Sequence, residues 1–205
     1  MKPVNSSRIL VVGGHTRNIG KTALVVDIIR AIHEAQWTAI KITQYGHGVC
    51  SINGEHCGCA PAEHPFSLDE EHDRSNKSDT SRFLVAGAAR ALWLRTKQGQ
   101  LAAAMPALRE ALAAAGNVII ESNSLLGFIR PALYLSVLDP AQADFKASAQ
   151  RFLDAADAFV MRSGGAAGWL GVPQSLIVHK PCFHQPLGQA LPPDLLSLIR
   201  LRLSL

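Results

Sequence analysis

The sequence predicts an α/β fold of three layers, in which helices cover both faces of a mostly parallel β-sheet. Short apolar runs of strand length alternate along the chain with amphipathic segments of helical length. Hydrophobic residues make up 48% and charged residues 18% of the chain, which excludes a disordered protein. The 205 residues suit one domain, which we expect to span residues 1–205.

The first two predicted elements are a strand and a helix, and the later elements continue this alternation. Arg8 to Val12 is a β-branched run that predicts a buried strand, and the apolar residues from Lys21 to about Ala35 recur at helical spacing. The later predicted strands are Thr38 to Thr43, Ala91 to Arg95, Asn117 to Ile120, Leu133 to Leu138, Ala158 to Met161 and Ser175 to Val178. The later predicted helices are Ser78 to Arg90, Gln100 to Ala115, Asp144 to Ala156 and a terminal helix from about Asp194.

About residues 45–77 interrupt this alternation. The segment is poor in large apolar residues, contains several Gly and Pro residues, and carries an acidic run at residues 69–71. A loop of this length is uncommon inside a compact domain and usually has a function. We therefore expect an insertion here.

Charge and hydropathy narrow the classes of partner. The net charge is +4 at pH 7, but Lys and Arg are scattered and form no basic stripe, so we expect no nucleic-acid partner. The longest apolar runs fall well short of the roughly 20 residues that a membrane-spanning helix needs. The first residues lack the pattern of a signal peptide. We expect no membrane partner and a cytoplasmic location.

A glycine-rich turn, G-G-H-T-R-N-I-G-K-T at residues 13–22, joins the first predicted strand to the first predicted helix. A helix N-terminus offers free backbone N–H groups and the positive end of its dipole to phosphate oxygens. In a P-loop, the Lys reaches the β- and γ-phosphates and the following Thr hydroxyl ligates Mg²⁺. The alternative is an ordinary glycine turn. The residues expected to contact a nucleoside triphosphate, ATP or GTP, are Gly14, Thr16, Asn18, Ile19, Gly20, Lys21, Thr22 and Ala23.

The spacing of this loop resembles that of dethiobiotin synthetases, G-x-D-T-x-x-G-K-T. Five residues separate Gly14 from Gly20, and His15 falls in the region where that family carries Asp. Those enzymes belong to the SIMIBI class of P-loop NTPases, which includes the signal-recognition, MinD and BioD groups. The chain is also similar to the MobB family, the nucleotide-binding accessory proteins of molybdopterin guanine dinucleotide synthesis.

Three residues outside the loop extend both resemblances. Both families end the second strand with a functional Lys, open the next helix with Asp, and end a later apolar strand with Glu. Lys41, Asp79 and Glu121 stand at these places, and A-G-A follows Asp79 at residues 86–88, as in MobB-like chains. After that Glu the families carry Gly, whereas this chain has S-N-S at residues 122–124, which leaves the handling of substrate open.

The resemblance implies roles for these side chains. Lys21, Lys41 and Glu121 are the expected catalytic residues, and Thr22, Asp79 and Glu121 are the expected Mg²⁺ ligands, directly or through water. Lys41 would stabilise charge on the transferred phosphoryl group or hold an acidic substrate. The structural alternatives are a surface lysine in an edge strand for Lys41, a plain helix cap for Asp79, and a purely structural role for Glu121.

Cysteine and histidine residues cluster in the insertion. Cys50, Cys57, Cys59 and His47 form a Cys₃His set that suits Zn²⁺, and the same ligands suit an iron–sulfur cluster. Their spacing is not that of a standard zinc finger. The alternative is a loop with unligated thiols that closes over substrate.

Three functions stay open at the level of sequence. The first is Mg²⁺-dependent binding and hydrolysis of a nucleoside triphosphate in a MobB-like accessory role, which implies a partner protein. The second is an ATP-dependent ligase or kinase that acts on an acidic small molecule, as dethiobiotin synthetases do. The third is a metal-binding protein that uses nucleotide as a switch. The lack of an N-K-x-D signature favours adenine over guanine, and the resemblance implies a homodimer.

Overall fold

The computed structural model describes residues 8–46, 64–164 and 168–205, and it confirms the three-layer α/β fold. The described strands are β1 (Ile9–Gly14), β2 (Thr38–Tyr45), β3 (Phe66–Glu70), β4 (Arg90–Lys97), β5 (Val118–Glu121), β6 (Leu133–Leu138), β7 (Ala158–Met161) and β8 (Cys182–His184). They form one sheet in the order β3-β4-β2-β5-β1-β6-β7-β8. Each neighbouring pair is parallel except β3 and β4, which are antiparallel.

Helices cover both faces of the sheet. They are α1 (Lys21–Ala31), α2 (Asp79–Val85), α3 (Leu101–Ala113), α4 (Ala147–Arg151), α5 (Ser175–Val178) and α6 (Pro193–Leu203). Successive strand residues point to opposite faces. In β1, Leu10 and Val12 belong to the same apolar cluster as α1, α2 and α6, while Ile9 and Val11 belong to the cluster of α3, α5 and the residues that follow α4. The central strands are therefore buried on both sides, as continuous apolar runs predict.

The structure corrects the C-terminal assignment. Residues 175–178, predicted as a strand, form the short helix α5, and the edge strand of this side is β8. A four-residue apolar run fits a strand or one helical turn equally well by periodicity. Within α5 only Ile177 is buried, so the segment contacts the core at a single residue.

Three helices are shorter than predicted. Helix α1 ends at Ala31, and a 3₁₀ turn at His33–Ala35 completes the predicted span. Helix α2 ends at Val85, because Gly87 adopts φ +107° and turns the chain into β4. Helix α4 covers only Ala147–Arg151, and the predicted start at Asp144 lies in a loop.

The expected insertion at about residues 45–77 contains a strand, which is a second correction. β3 pairs with β4 along the sheet edge. Asp69 and Glu70 of the acidic run form ion pairs with Arg95 and Arg90 of β4, and the Arg90–Glu70 distance is 2.7 Å. None of the helices in the described part of the chain has the length and apolar character needed to cross a membrane.

Candidate functional site

The glycine-rich turn lies between β1 and the N-terminus of α1, where the sequence predicts a phosphate loop. Gly20 caps α1 with φ +85°, a conformation that favours glycine. The first turn of α1 contains no acidic residue, and no side chain caps its backbone N–H groups. A Cβ on Gly14 would lie 2.7 Å from Ile19 and 3.1 Å from Lys21, so the loop closes tightly on itself. This helix end is therefore open to an anion.

Lys21 lies across this loop. Its Nζ donates a hydrogen bond to the carbonyl of Thr16 at 2.7 Å. Burial lowers the pKa of Lys21 to about 8, a direction that Lys41 and Lys146 reinforce and Glu121 opposes. A phosphate oxygen here would replace the Thr16 carbonyl and favour the charged form of the amine.

Lys41, Asp79, Glu121 and Thr22 meet at one point. Lys41 and Glu121 are register partners on adjacent strands, and the Lys41 Nζ lies 2.5 Å from Glu121 Oε1. The same Nζ lies 2.9 Å from Asp79 Oδ2. The Thr22 hydroxyl donates to Glu121 Oε2 at 2.8 Å. Burial opposes the charge on Lys41, but Glu121 and Asp79 outweigh it and raise the pKa of Lys41 above its ordinary value.

These side chains also suit a hard divalent cation. Thr22, Asp79 and Glu121 offer oxygen atoms, which Mg²⁺ prefers, and these oxygens already contact one positive charge, the Lys41 ammonium. The Thr22 hydroxyl donates its hydrogen to Glu121, and its oxygen faces the Lys41 ammonium at 3.4 Å, where a cation can be accepted. The part of the chain that the structure describes contains no group of three or more His, Cys, Asp and Glu side chains placed to hold a metal ion. Cys50, Cys57, Cys59 and His47, the other candidate metal ligands, lie outside the described residues.

A cleft of about 1060 Å³ opens over the loop and this charged group. Its walls include most of the residues expected to contact nucleotide: Gly14, Thr16, Asn18, Gly20, Lys21, Thr22 and Ala23. Ile19 differs from them, because its side chain is buried in the core behind the loop. A smaller pocket of about 260 Å³ adjoins the cleft and shares Lys41, Thr43 and Asp79 with it. We call it the Trp93 pocket; its other walls are Lys77, Ser78, Thr80 and Trp93.

Asn123 fixes the start of the loop, a role that the sequence did not predict. Its side-chain carbonyl accepts from the Gly14 N–H at 2.8 Å, and its amide nitrogen donates to the Gly14 carbonyl at 2.8 Å. A Cβ on Gly13 would come within 2.1 Å of the same side chain. The only sequence signal was the S-N-S that replaces the glycine of the two families.

His15 anchors the loop from behind. Its ring is fully buried beside Phe145 and Trp169. Nε2 accepts from the Asp139 backbone N–H at 3.1 Å, so Nδ1 carries the hydrogen that it donates to the Asp144 carbonyl at 2.8 Å. Burial lowers the pKa of His15, which keeps the ring neutral. His15 is therefore a support of the loop and does not line the cleft.

Arg162 and Asp144 supply two further supports. Arg162, which is buried, donates to the Gly20 carbonyl at 2.5 Å and to the Gln185 carbonyl at 2.9 Å. The Thr16 hydroxyl donates to the Asp144 carboxylate. Asp139, the acidic residue that directly follows β6, accepts a hydrogen bond from Ser163 and does not line the cleft.

The parallel sheet and its strand–loop–helix turn define the fold of P-loop NTPases. No protein-family model matches the chain, and no curated protein matches it in sequence. Among solved structures, it is similar to HypB from Helicobacter pylori in complex with nickel, with a TM-score of 0.52 and 13% sequence identity. That match covers 97% of this chain and 87% of the HypB chain, so the similarity of fold extends over nearly the whole length.

Proposed function

We propose that this protein binds a nucleoside triphosphate together with Mg²⁺ in the cleft over the phosphate loop and hydrolyses it. One observation carries the proposal. The uncapped N-terminus of α1 and the Lys21 amine open into the same cleft as Thr22, Asp79 and Glu121. An anion site and a set of oxygen ligands thus lie side by side, which is what a metal–triphosphate complex requires.

Each side chain has a defined task in this proposal. The α1 amides and Lys21 hold the β- and γ-phosphates, and Thr22, Asp79 and Glu121 hold the metal ion directly or through water. Bound Mg²⁺ neutralises charge on the phosphate oxygens. Glu121 keeps the Thr22 hydroxyl oriented through their 2.8 Å hydrogen bond. Lys41 stabilises charge that develops on the transferred phosphoryl group.

We infer a cofactor-synthesis accessory role of the MobB kind as the leading biological setting. It is supported by the ordered set Lys41, Asp79 and Glu121, three residues from separate parts of the sequence that converge on one point. In this role hydrolysis would be slow and stimulated by a partner protein. ATP is the favoured nucleotide because the guanine signature is absent.

A ligase or kinase that acts on an acidic small molecule is the second candidate. The Trp93 pocket favours it, because a second substrate needs a cavity beside Lys41 and this pocket shares that side chain with the cleft. A third candidate is a nucleotide-switched metal-binding protein. The nickel in the similar HypB structure is consistent with it, while the metal ligands it would use fall outside the described residues.

Calorimetry with ATP and GTP, each with and without MgCl₂, tests the proposal. We expect Mg²⁺-dependent binding by the wild type and a loss of affinity of at least tenfold in Lys21→Met. Arg109→Ala, an exposed change on α3 at the opposite face of the sheet, should bind as the wild type does. The rate of phosphate release from the nucleotide should likewise be reduced in Lys21→Met and unchanged in Arg109→Ala. A wild type that binds neither nucleotide, or a Lys21→Met variant with full affinity, would refute the proposal.

A further inference from the structure

The Lys41 ammonium occupies the centre of the candidate metal site. Its Nζ lies 2.5 Å from Glu121 Oε1, 2.9 Å from Asp79 Oδ2 and 3.4 Å from Thr22 Oγ1. These atoms belong to the same three side chains that would bind Mg²⁺. One cation tethered to strand β2 therefore contacts every side chain that a divalent ion would use.

The two cations exclude each other on geometric and electrostatic grounds. Mg²⁺ requires ligand oxygens at about 2.0–2.1 Å in near-octahedral order, which leaves no room for an ammonium at the same centre. Like charges a few ångströms apart also repel, and most strongly beside a buried carboxylate such as Glu121. Glu121 is nearly inaccessible, with 4% of its side chain exposed, and Lys41 is only 18% exposed. Solvent therefore screens the contact between Lys41 and Glu121 weakly, and it screens the contact with Asp79, whose side chain is 40% exposed, more strongly.

We propose that Lys41 is a tethered cation that keeps free divalent metal ions out of the site, so that the metal enters only as its complex with triphosphate. A free metal ion would displace the Lys41 ammonium from the Asp79 and Glu121 carboxylates without supplying a new anionic partner for it. A metal–triphosphate complex brings phosphate oxygens into the adjoining cleft, and these can accept the displaced ammonium. The inference rests on the proposed function, and it adds an order of binding and a selectivity against free metal ions.

Binding of Mn²⁺ alone, followed by electron paramagnetic resonance, measures this exclusion without nucleotide or turnover. We expect Lys41→Met to bind free Mn²⁺ at least tenfold more tightly than the wild type, because the carboxylates lose their competing cation. Lys41→Arg keeps a tethered charge and should exclude the ion as the wild type does. Lys146→Met removes a lysine from the same cleft that contacts none of the three oxygens, and it should change Mn²⁺ affinity less than threefold.

Two further measurements test whether the gain in Mn²⁺ affinity arises at the candidate metal site. In the double variant Lys41→Met with Glu121→Gln, the gain in Mn²⁺ affinity should disappear, since it depends on the Glu121 carboxylate. With ATP present, the difference between wild type and Lys41→Met should shrink. Circular dichroism checks that each variant is folded, and Lys41→Gln replaces Lys41→Met should the latter fail to fold.

The proposal is overturned if removal of the Lys41 charge leaves free Mn²⁺ affinity unchanged or weaker, or if Lys41→Arg binds the ion as tightly as Lys41→Met. A wild type that excludes Mn²⁺ but binds no nucleotide would refute the proposed function and leave the exclusion in place. The two failures are therefore distinguishable.

Discussion

Lys21 should destabilise the nucleotide-free protein, so that Lys21→Met is more stable than the wild type. Burial lowers the pKa of Lys21 from 10.5 to about 8. At 1.36 kcal/mol per pKa unit this difference corresponds to roughly 3 kcal/mol against folding at pH 7. The variant also loses the hydrogen bond from Lys21 to the Thr16 carbonyl, worth about 0.5–1.5 kcal/mol. The first effect is the larger, and we expect a net gain of about 2 kcal/mol.

The pH dependence provides the stricter test of this prediction. Between about pH 8 and pH 10.5 the unfolded chain holds a proton on Lys21 that the folded chain has lost, so wild-type stability rises with pH across this window. The advantage of Lys21→Met should therefore shrink to below about 1 kcal/mol at pH 10.

Urea unfolding at pH 7 and pH 10, without nucleotide, measures both values, and Lys77→Met serves as a control at an exposed lysine. The reasoning fails if Lys21→Met is no more stable than the wild type at pH 7, or if its advantage is the same at pH 10.

Two further predictions concern the supports of the loop. Gly20→Ala should lower the free energy of unfolding by more than Gly99→Ala does. Both glycines have positive φ, which costs a non-glycine residue about 1–2 kcal/mol. Only at Gly20 would the added Cβ also lie within 3.0 Å of the buried Arg162 side chain. Equal losses in urea unfolding would contradict this. Because burial lowers the pKa of His15 below 6.5, its unfolded state takes up a proton below that pH that the folded state does not. Wild-type stability should thus fall from pH 7 to pH 5, and the fall should be smaller in His15→Gln; identical pH profiles would refute it.

The central strands could be predicted from the sequence because the apolar residues that bury a strand lie within the strand itself. β6 and β7 match their predicted bounds, since both are largely buried on two faces and consist of apolar residues apart from Ser136. β3 escaped prediction because it is an edge strand with polar residues. Its acids are neutralised by arginines of β4, which lie 20 or more positions away in the chain, and no local pattern reveals such a partner.

The candidate site likewise contains some residues that the sequence predicts and others that only the fold brings together. Lys21 and Thr22 follow from a contiguous motif, and the proximity of Lys41 to Glu121 follows from strand order, which sequence alone does not fix. Asn123, Asp144 and Arg162 contact the loop from 109, 128 and 142 positions away. No spacing rule covers such contacts, so only the folded chain shows them.

These distant contacts hold the phosphate loop in its shape. The loop contains one unfavourable feature, the buried Lys21 amine, whereas the positive φ of Gly20 is a conformation that glycine adopts readily. Asn123 binds Gly14 on one side, and Arg162 binds the Gly20 carbonyl on the other. His15 joins the middle of the loop to the chain after β6. A loop ordered in advance loses little conformational entropy when an anion binds, so more of the electrostatic attraction is retained as affinity.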